Sequence, residues 1–446
     1  MFRRILIANR GEIAVRIIRA CREMGIQTVA VYSEEDKDSL HVGLADESCC
    51  IGGALLRESY LNEEAILQAA QQFHADAIHP GYGMLSENAE FARKCEDAGI
   101  SWIGPSPDVM DLMSRKDTAR SVAHKVRVPV TPGTAVLKDI RQAKRAAAKI
   151  GYPVMLKARS GGGGKGIRIV RNPEELPHAF QVGMEEAQAS FGDGALFMEK
   201  YLENIKHIEV QILADAQGHC AILGERDCSL QRSNQKMIEE SPAPVLDPKI
   251  RKKLYAAAAK IVKAIGYKTV GTIEFLVCGD RFYFCEMNTR LQVEHTVTEM
   301  VTGIDLVKWQ IRTAAGVPLD FKGEVPRRGC AMECRINAEN PETGFPSCGT
   351  VTLFHEPGGP GVRFDTMLYQ GLTISPYYDS LLGKLVVSGE NRQEVIRRMK
   401  SALAELVVQG VDTNAALHME ILEDPTFLDG SYHTDFYEKF MKAKKE

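Results

Sequence analysis

From Glu286 to Glu294 the chain reads Glu-Met-Asn-Thr-Arg-Leu-Gln-Val-Glu, with a functional polar group at every second position. Side chains repeat their direction every two residues in an extended strand, so the pattern predicts a strand with one polar face and one core face. Upstream, Gly271–Val277 has the content of a second strand, and Cys278-Gly279-Asp280-Arg281 that of a turn. A hairpin centred on Asp280 places Glu274 opposite Glu286, each six residues away. A slip of one residue spoils this pairing, and the sequence alone leaves the register open. Two carboxylates ~4 Å apart repel by roughly 4 kcal/mol at an effective dielectric near 20. Such a pair makes sense around a divalent cation, with Asn288 as a neutral oxygen ligand. Hard oxygen ligands suit magnesium or manganese, and a partly open shell suits a bound nucleotide. A solvated polar face on an edge strand is the simpler account of any one of these residues, but a poor one of all of them in phase.

The second feature is glycine. Tyr152–Ala158 reads as a strand, Arg159-Ser160-Gly161-Gly162-Gly163-Gly164-Lys165-Gly166 follows, and Ile167–Val170 reads as another strand. Such a run exposes backbone N–H groups and lets the main chain approach phosphate oxygens. It is neither a P-loop nor a dinucleotide fingerprint, because Lys165 precedes Gly and a strand comes next. Strand, glycine flap, strand suits a mobile lid over a triphosphate, with Lys157 placed to reach a phosphate as a point charge. A flexible hairpin tip is the alternative for the glycines taken alone.

A length of 446 residues predicts two to three domains. Net charge −4 gives no electrostatic case for nucleic acid or a membrane surface. The eleven cysteines include no C-x-x-C pair, so buried thiols are expected. The apolar run Ile5–Ala8 is too short for a signal peptide and no 18-residue apolar stretch occurs, so a cytoplasmic protein is expected. Residues 1–114 alternate apolar runs (Ile5–Ala8, Thr28–Tyr32, Ala77–His79, Trp102–Gly104) with amphipathic segments (Glu12–Met24, Asn62–Phe73), a βαβ rhythm that predicts a parallel sheet. Asn9-Arg10-Gly11-Glu12 falls at a strand-to-helix turn suited to an anion. Helices are predicted over Ile140–Ile150 and Arg392–Val407, with strands and turns (Pro357–Gly361) from about residue 331.

The flap, Glu199-Lys200-Tyr201-Leu202, and the Glu274/Glu286-Met287-Asn288 pair together resemble the ATP-grasp superfamily. Ile7–Ala14 (IANRGEIA), His79-Pro80-Gly81-Tyr82-Gly83, Ser86-Glu87-Asn88, Arg290–His295 (RLQVEH) and Glu333–Glu339 (ECRINAE) narrow the resemblance to biotin carboxylase, over about residues 2 to 440. The resemblance implies an α/β and α+β fold. Its parts are an N-terminal Rossmann-like (pre-ATP-grasp) domain over 1–114, an ATP-grasp domain over 115–330 with a glycine-rich lid at about 131–202, and a C-terminal mixed β/α domain over 331–446. It implies carboxylation of biotin from ATP and bicarbonate with Mg2+ or Mn2+. Lys116, Lys157, Gly162, Gly163, Gly164 and Lys236 would contact the nucleotide. Glu199, Lys200 and Leu202 would bracket the adenine, with His207 and Gln231 near the ribose. Glu274, Glu286 and Asn288 would hold metal. Lys236, Arg290, Gln292 and Val293 would bind bicarbonate, Glu294 would be the general base, Arg335 would stabilise a biotin enolate, and Tyr82 would lie at the substrate site. Glu209 and Glu87 are expected as site neighbours without assigned roles.

Four residues depart from the family's pattern: Ser160 for glycine, Asn234 for histidine, Thr296 for proline and Cys348 for proline. Asn234 keeps hydrogen-bonding capacity but cannot become cationic, and Thr296 loosens the backbone beside the base. No Ala/Val-Met-Lys-Met attachment sequence occurs. Biotin is therefore expected on a separate biotin carboxyl carrier protein, with separate carboxyltransferase subunits, as in acetyl-CoA carboxylase; the resemblance also implies a homodimer. The alternatives are a split propionyl-CoA, methylcrotonyl-CoA or pyruvate carboxylase, another ATP-grasp ligase, or a catalytically silent ATP-binding partner, which Asn234 and Thr296 alone favour.

Overall fold

The computed structural model describes residues 1–160 and 166–445. The N-terminal rhythm forms a five-stranded parallel sheet of β1 (Arg4–Ile7), β2 (Gln27–Tyr32), β3 (Glu47–Cys50), β4 (Ala77–His79) and β5 (Ser101–Trp102), in the order β3-β2-β1-β4-β5. Central β1 buries Ile5, Leu6 and Ile7 completely, as a parallel strand covered on both faces must. Strand order reverses between β1 and β4, so the loops after them open at the sheet's carboxyl edge, where such sheets bind ligands. Asn9 ties these loops together, its Nδ2 donating to the carbonyls of Pro80 (2.7 Å) and Tyr82 (2.8 Å). Arg10, expected near an anion, is committed elsewhere. Its guanidinium forks onto Asp36 at 2.6 and 2.7 Å and lies 4.1 Å from the Tyr378 ring centre. Strand β3 escapes the sequence reading because Glu47-Ser48-Cys49-Cys50 has no apolar run.

β6 (Val154–Ala158), β7 (Ile167–Val170) and β8 (Leu196–Lys200) form an antiparallel sheet in the order β7-β6-β8. The helices Ile140–Ile150 and Leu176–Phe191 pack on it through Ala143, Ala147, Phe180 and Ala187. The expected phosphate contacts Gly162, Gly163 and Gly164 lie outside the described residues.

The largest sheet contains β9 (Lys206–Ala214), β10 (Cys220–Arg232), β11 (Gln235–Ser241), β12 (Thr269–Cys278), β13 (Arg281–Asn288), β14 (Gly323–Glu324), β15 (Cys330–Asn337), β18 (Val362–Thr366) and β20 (Leu381–Gly389). Its order is β13-β12-β9-β10-β11-β15-β20-β18, with β14 beside β10. Two ribbons stand apart, β16 (Gly349–Thr350) with β19 (Thr373–Ile374) and β17 (Leu353–His355) with β21 (Val407–Gln409). One sheet thus carries strands from both sides of residue 330, joined where β11 pairs with β15. The helix Arg392–Glu405 stops short of Val407, which begins β21.

The β12–β13 hairpin pairs Glu274 with Glu286, by a route the sequence did not reveal. Its turn is Gly279-Asp280, with Cys278 opposite Arg281, so its centre lies half a residue before Asp280. That register continued unbroken would bring Cys285 opposite Glu274. A bulge after the Phe275/Phe284 pair inserts Cys285 and restores Glu286. The predicted strand to Glu294 is corrected: β13 ends at Asn288, and Thr289–Glu294 is an irregular segment leading into the helix His295–Thr302. Leu291 is fully buried in the cluster that holds Ile13 and Leu306, which draws the chain off the sheet edge.

Candidate active site

Lys236 is the hub. It lies near the start of β11, and its ammonium donates to Glu209 Oε2 (2.6 Å) on β9, Glu274 Oε1 (3.0 Å) on β12 and Glu294 Oε1 (2.6 Å). Glu209 and Glu294 are fully buried, and burial alone would force protons onto such carboxyls. Instead, Glu294 is held well below the usual carboxylate range: burial opposes ionisation, and Lys236, Arg335 and Arg226 outweigh it. Lys236 is correspondingly pushed well above the ordinary lysine range, the three glutamates overriding its own burial.

Arg335 completes the cationic surround of Glu294. On β15 it donates through Nη2 to Glu294 Oε2 (3.0 Å) and through Nε to Glu239 Oε1 (2.7 Å). Neither Glu333 nor Glu339 hydrogen-bonds to Arg335 among the described residues, and Glu339 is taken by Arg232 at 2.5 Å. Although Arg290, Gln292 and Glu294 do not share a strand face, the irregular segment brings them together. Arg290 donates to Asn288 Oδ1 (3.1 Å), Gln292 Oε1 (3.0 Å) and Glu87 Oε2 (3.0 Å). Gln292 Nε2 donates to Glu274 Oε1 at 3.1 Å. Val293 offers its carbonyl to Lys384 Nζ (3.0 Å), a fully buried lysine that also meets Glu12 Oε1 at 3.1 Å. The Tyr82 hydroxyl donates to the same Glu12.

The carboxylates of the hairpin are unequal. Glu274 is saturated: Lys236, His207 Nε2 (2.8 Å), Asn288 Nδ2 (2.8 Å) and Gln292 all address it, and it stays ionised despite burial. Among the described residues, no side chain hydrogen bonds or ion-pairs with Glu286. Burial, then the Glu274 charge, push its carboxyl up. A half-buried carboxylate that faces another across a hairpin, with no side chain hydrogen-bonded to it among the described residues, is a donor set that fits a divalent metal. Asn288 turns its oxygen to Arg290.

Among the residues expected near the nucleotide, Glu199 of β8 accepts Lys157 Nζ at 2.5 Å and is also bonded by Arg120. Lys200 Nζ is tied to the carbonyls of Gly151 (3.1 Å) and Tyr152 (3.0 Å). Leu202 is half-buried on the β8–β9 connection, and Lys116 opens the helix Lys116–Lys125. Gln231 Nε2 lies 2.9 Å from His207 Nδ1. His207 is raised above the usual histidine range, Glu274 overcoming the effect of burial. Asn234 sits with Ser233 at the exposed tip of the β10–β11 hairpin, with φ of 65° and 50°. Both need the left-handed region, which asparagine tolerates better than most residues.

Sequence reasoning missed Arg120, Arg226, Glu239 and Lys384. Arg226 is wholly buried, donating to Glu209 (2.6 Å), Gln211 (2.6 Å) and Thr298 (2.9 Å). Glu225-Arg226-Asp227 looks like a loop in sequence, yet it lies in mid-strand. Its signal was the apolar run Cys220–Leu223 just before it.

Family models match nearly the whole chain: "Biotin carboxylase, N-terminal domain" over residues 1–110, "Carbamoyl-phosphate synthase L chain, ATP binding domain" over 115–322, and "Biotin carboxylase C-terminal domain" over 333–439. Biotin carboxylase 1 of Bacillus subtilis is 51% identical over 445 residues, covering 99% of both chains. The chain belongs to the biotin carboxylase family. It is an ATP-dependent ligase of the ATP-grasp type. A Campylobacter jejuni biotin carboxylase solved as a βγ-ATP complex superposes with a TM-score of 0.95 at 48% identity, over 98% of this chain and 99% of that one. The biotin carboxylase domain dimer of Hydrogenobacter thermophilus 2-oxoglutarate carboxylase, solved with MgADP, ADP and bicarbonate, gives 0.93 at 48% identity over 98% of each.

Proposed function

We propose that this biotin carboxylase activates bicarbonate with ATP and carboxylates biotin presented by a separate carrier protein, as the first half-reaction of an acetyl-CoA carboxylase. One observation carries the reading: Glu294, fully buried, is kept ionised by Lys236 and Arg335 beside a hairpin with an uncompensated carboxylate. In this reading Glu274 and Glu286, with Asn288 beside them, hold magnesium, which when bound neutralises triphosphate charge. Lys116, Lys157 and Lys236 contact phosphates. Glu199, Lys200 and Leu202 bracket the adenine, and His207 and Gln231 line the ribose. Gly162, Gly163 and Gly164 belong to the proposed lid.

Bicarbonate sits at Arg290, Gln292 and Val293 and gives its proton to Glu294, and its oxygen attacks the γ-phosphorus, breaking the bond to the β-phosphate and releasing ADP. In the ligand-free site Glu294 is a weak base because two cations hold it. An anion arriving beside Lys236 competes for that ammonium, and Glu294 gains basicity as the contact weakens. Carboxyphosphate then divides into CO₂ and phosphate. Phosphate takes the ureido proton of biotin, Arg335 stabilises the enolate oxygen, and the ureido nitrogen attacks CO₂ to give carboxybiotin and free phosphate, with Tyr82 bordering the same pocket.

We further propose the three-part division at about residues 114 and 330, a homodimer, separate carboxyltransferase subunits and a cytoplasmic location. No helix among the described residues is long and apolar enough to cross a membrane. The likeness to the Hydrogenobacter domain supports a second reading, in which the same half-reaction serves a keto-acid carboxylase. ADP release from Mg-ATP should require both bicarbonate and free biotin. Tight ATP binding without turnover would indicate a silent subunit, and turnover indifferent to biotin another acceptor. Offering the native assembly acetyl-CoA, pyruvate or 2-oxoglutarate separates the two carboxylase readings.

A further inference from the structure

Behind Arg335 lies a carboxyl pair that the reaction above does not use. Glu239 on β11 and Glu333 on β15 are direct partners in the antiparallel register, and both are fully buried. Directly opposed residues put their side chains on one face with Cβ atoms about 5 Å apart. Glu239 spends Oε1 on Arg335, and Glu333 spends Oε2 on the Thr296 hydroxyl. The other oxygens, Glu239 Oε2 and Glu333 Oε1, are buried without a hydrogen-bond partner among the described residues. Two adjacent buried carboxylates with two orphaned acceptors are unfavourable, and one proton cures both defects. It lowers the charge and supplies the missing donor.

We propose that Glu239 and Glu333 share a single proton, carried by Glu333, and that this leaves Glu239 as the anion that positions Arg335 against Glu294. Both are positioning residues, acting through Arg335. The inference rests on the biotin carboxylase reading for its effect on turnover, but the shared proton stands on the geometry of the pair. Thr296 is part of the device: its hydroxyl occupies one Glu333 oxygen and leaves the other to carry the proton toward Glu239. The proline of the family's pattern has no hydroxyl to do so.

The charged and titratable neighbours are Lys236 on β11, Arg335 and Cys334 on β15, Lys384 on β20, Cys228 on β10, Glu294 and Tyr82. In that setting Glu333 is raised well above the usual carboxylate range, by burial and then by Glu239. Glu239 is pushed up to about 7, by burial against the pull of Arg335. Above that value Glu239 is ionised and grips Arg335. As pH falls through it a second proton enters, the grip loosens, and turnover falls on its acid side.

The test combines infrared difference spectra of the full chain with turnover. At about two pH units above the Glu239 value, where Glu239 is ionised, the wild type should show a protonated-carboxyl stretch that disappears in Glu333→Gln. Acidification through about 7 should add a second such stretch, absent from Glu239→Gln. Gln mimics a neutral acid and keeps a donor, so Glu333→Gln should retain turnover within about threefold, whereas Glu333→Leu should lose about tenfold or more. Glu239→Gln should lose a similar factor and its acid limb. No stretch assignable to Glu333 at that higher pH would overturn the proposal, as would Glu333→Gln being as impaired as Glu333→Leu. Should Glu333→Leu not fold, the spectra and Glu333→Gln decide. The stretch without biotin-dependent turnover in the wild type would instead overturn the functional reading and leave the pair intact.

Discussion

Replacing Glu286 by Gln should stabilise the ligand-free protein while removing its response to Mg-ATP. Glu286 faces Glu274 across the hairpin. Glu274 has four partners, and Glu286 has none among the described residues. Opposed charges of one sign about 5 Å apart repel by about 3 kcal/mol at an effective dielectric near 20. Lys116 and Lys236 offset part of this, and solvent on the open side screens more, so the expected gain is about 1–2 kcal/mol. The pH dependence has a definite sign. Burial and Glu274 raise the folded-state value, so the folded protein keeps this proton to higher pH than the unfolded chain. Its penalty is absent in acid and grows as pH rises through the folded value, and the advantage of Glu286→Gln should follow. With ligand the order inverts. At a hundredfold excess over Kd the wild type should gain about 2.7 kcal/mol from Mg-ATP, and the variant little of it. Urea midpoints at two pH values, with and without Mg-ATP, measure all four states. A ligand-free variant less stable than the wild type would refute the reasoning, as would an undiminished Mg-ATP shift in the variant.

Arg120→Met should raise the KM for ATP about tenfold with little change in kcat, because Glu199 loses one of its two cations; steady-state kinetics check this. Asn234→Val should lower stability by about 1–2 kcal/mol, since a β-branched residue resists the left-handed region, while Asn234→Gly should not; urea midpoints distinguish them. Lys384→Met should cost about 3–5 kcal/mol by leaving Glu12 without its buried cation. Burial raises the Glu12 carboxyl despite Lys384, so this loss should ease in acid as Glu12 takes up a proton, which midpoints across pH will show.

Local pattern carried much of this structure and failed where tertiary contacts decide. The βαβ rhythm anticipated four strands of the parallel sheet because each is an apolar run; polar β3 gave no such signal. The Glu274/Glu286 pairing was anticipated, yet it depends on a bulge at Cys285 that composition does not disclose. A period of two from Glu286 to Glu294 invited one long strand, but burial of Leu291 ends it at Asn288. The polar residues converge all the same, because Lys236 and Glu274 draw them in from different elements. Arg120, Arg226, Glu239 and Lys384 reach the site across many residues of sequence, and only the folded sheet brings them there.

The central claim is that Glu294, held by Lys236 and Arg335, deprotonates bicarbonate for transfer to biotin. Transfer of labelled carbon from bicarbonate to free biotin, in the wild type beside Glu294→Gln, tests it most directly. Gln keeps the shape and hydrogen-bonding capacity of the side chain but cannot take the proton. The wild type should form labelled carboxybiotin only with Mg-ATP present. Glu294→Gln should bind Mg-ATP normally and lose about 10²-fold or more in label transfer. Transfer by Glu294→Gln at close to the wild-type rate would contradict the account.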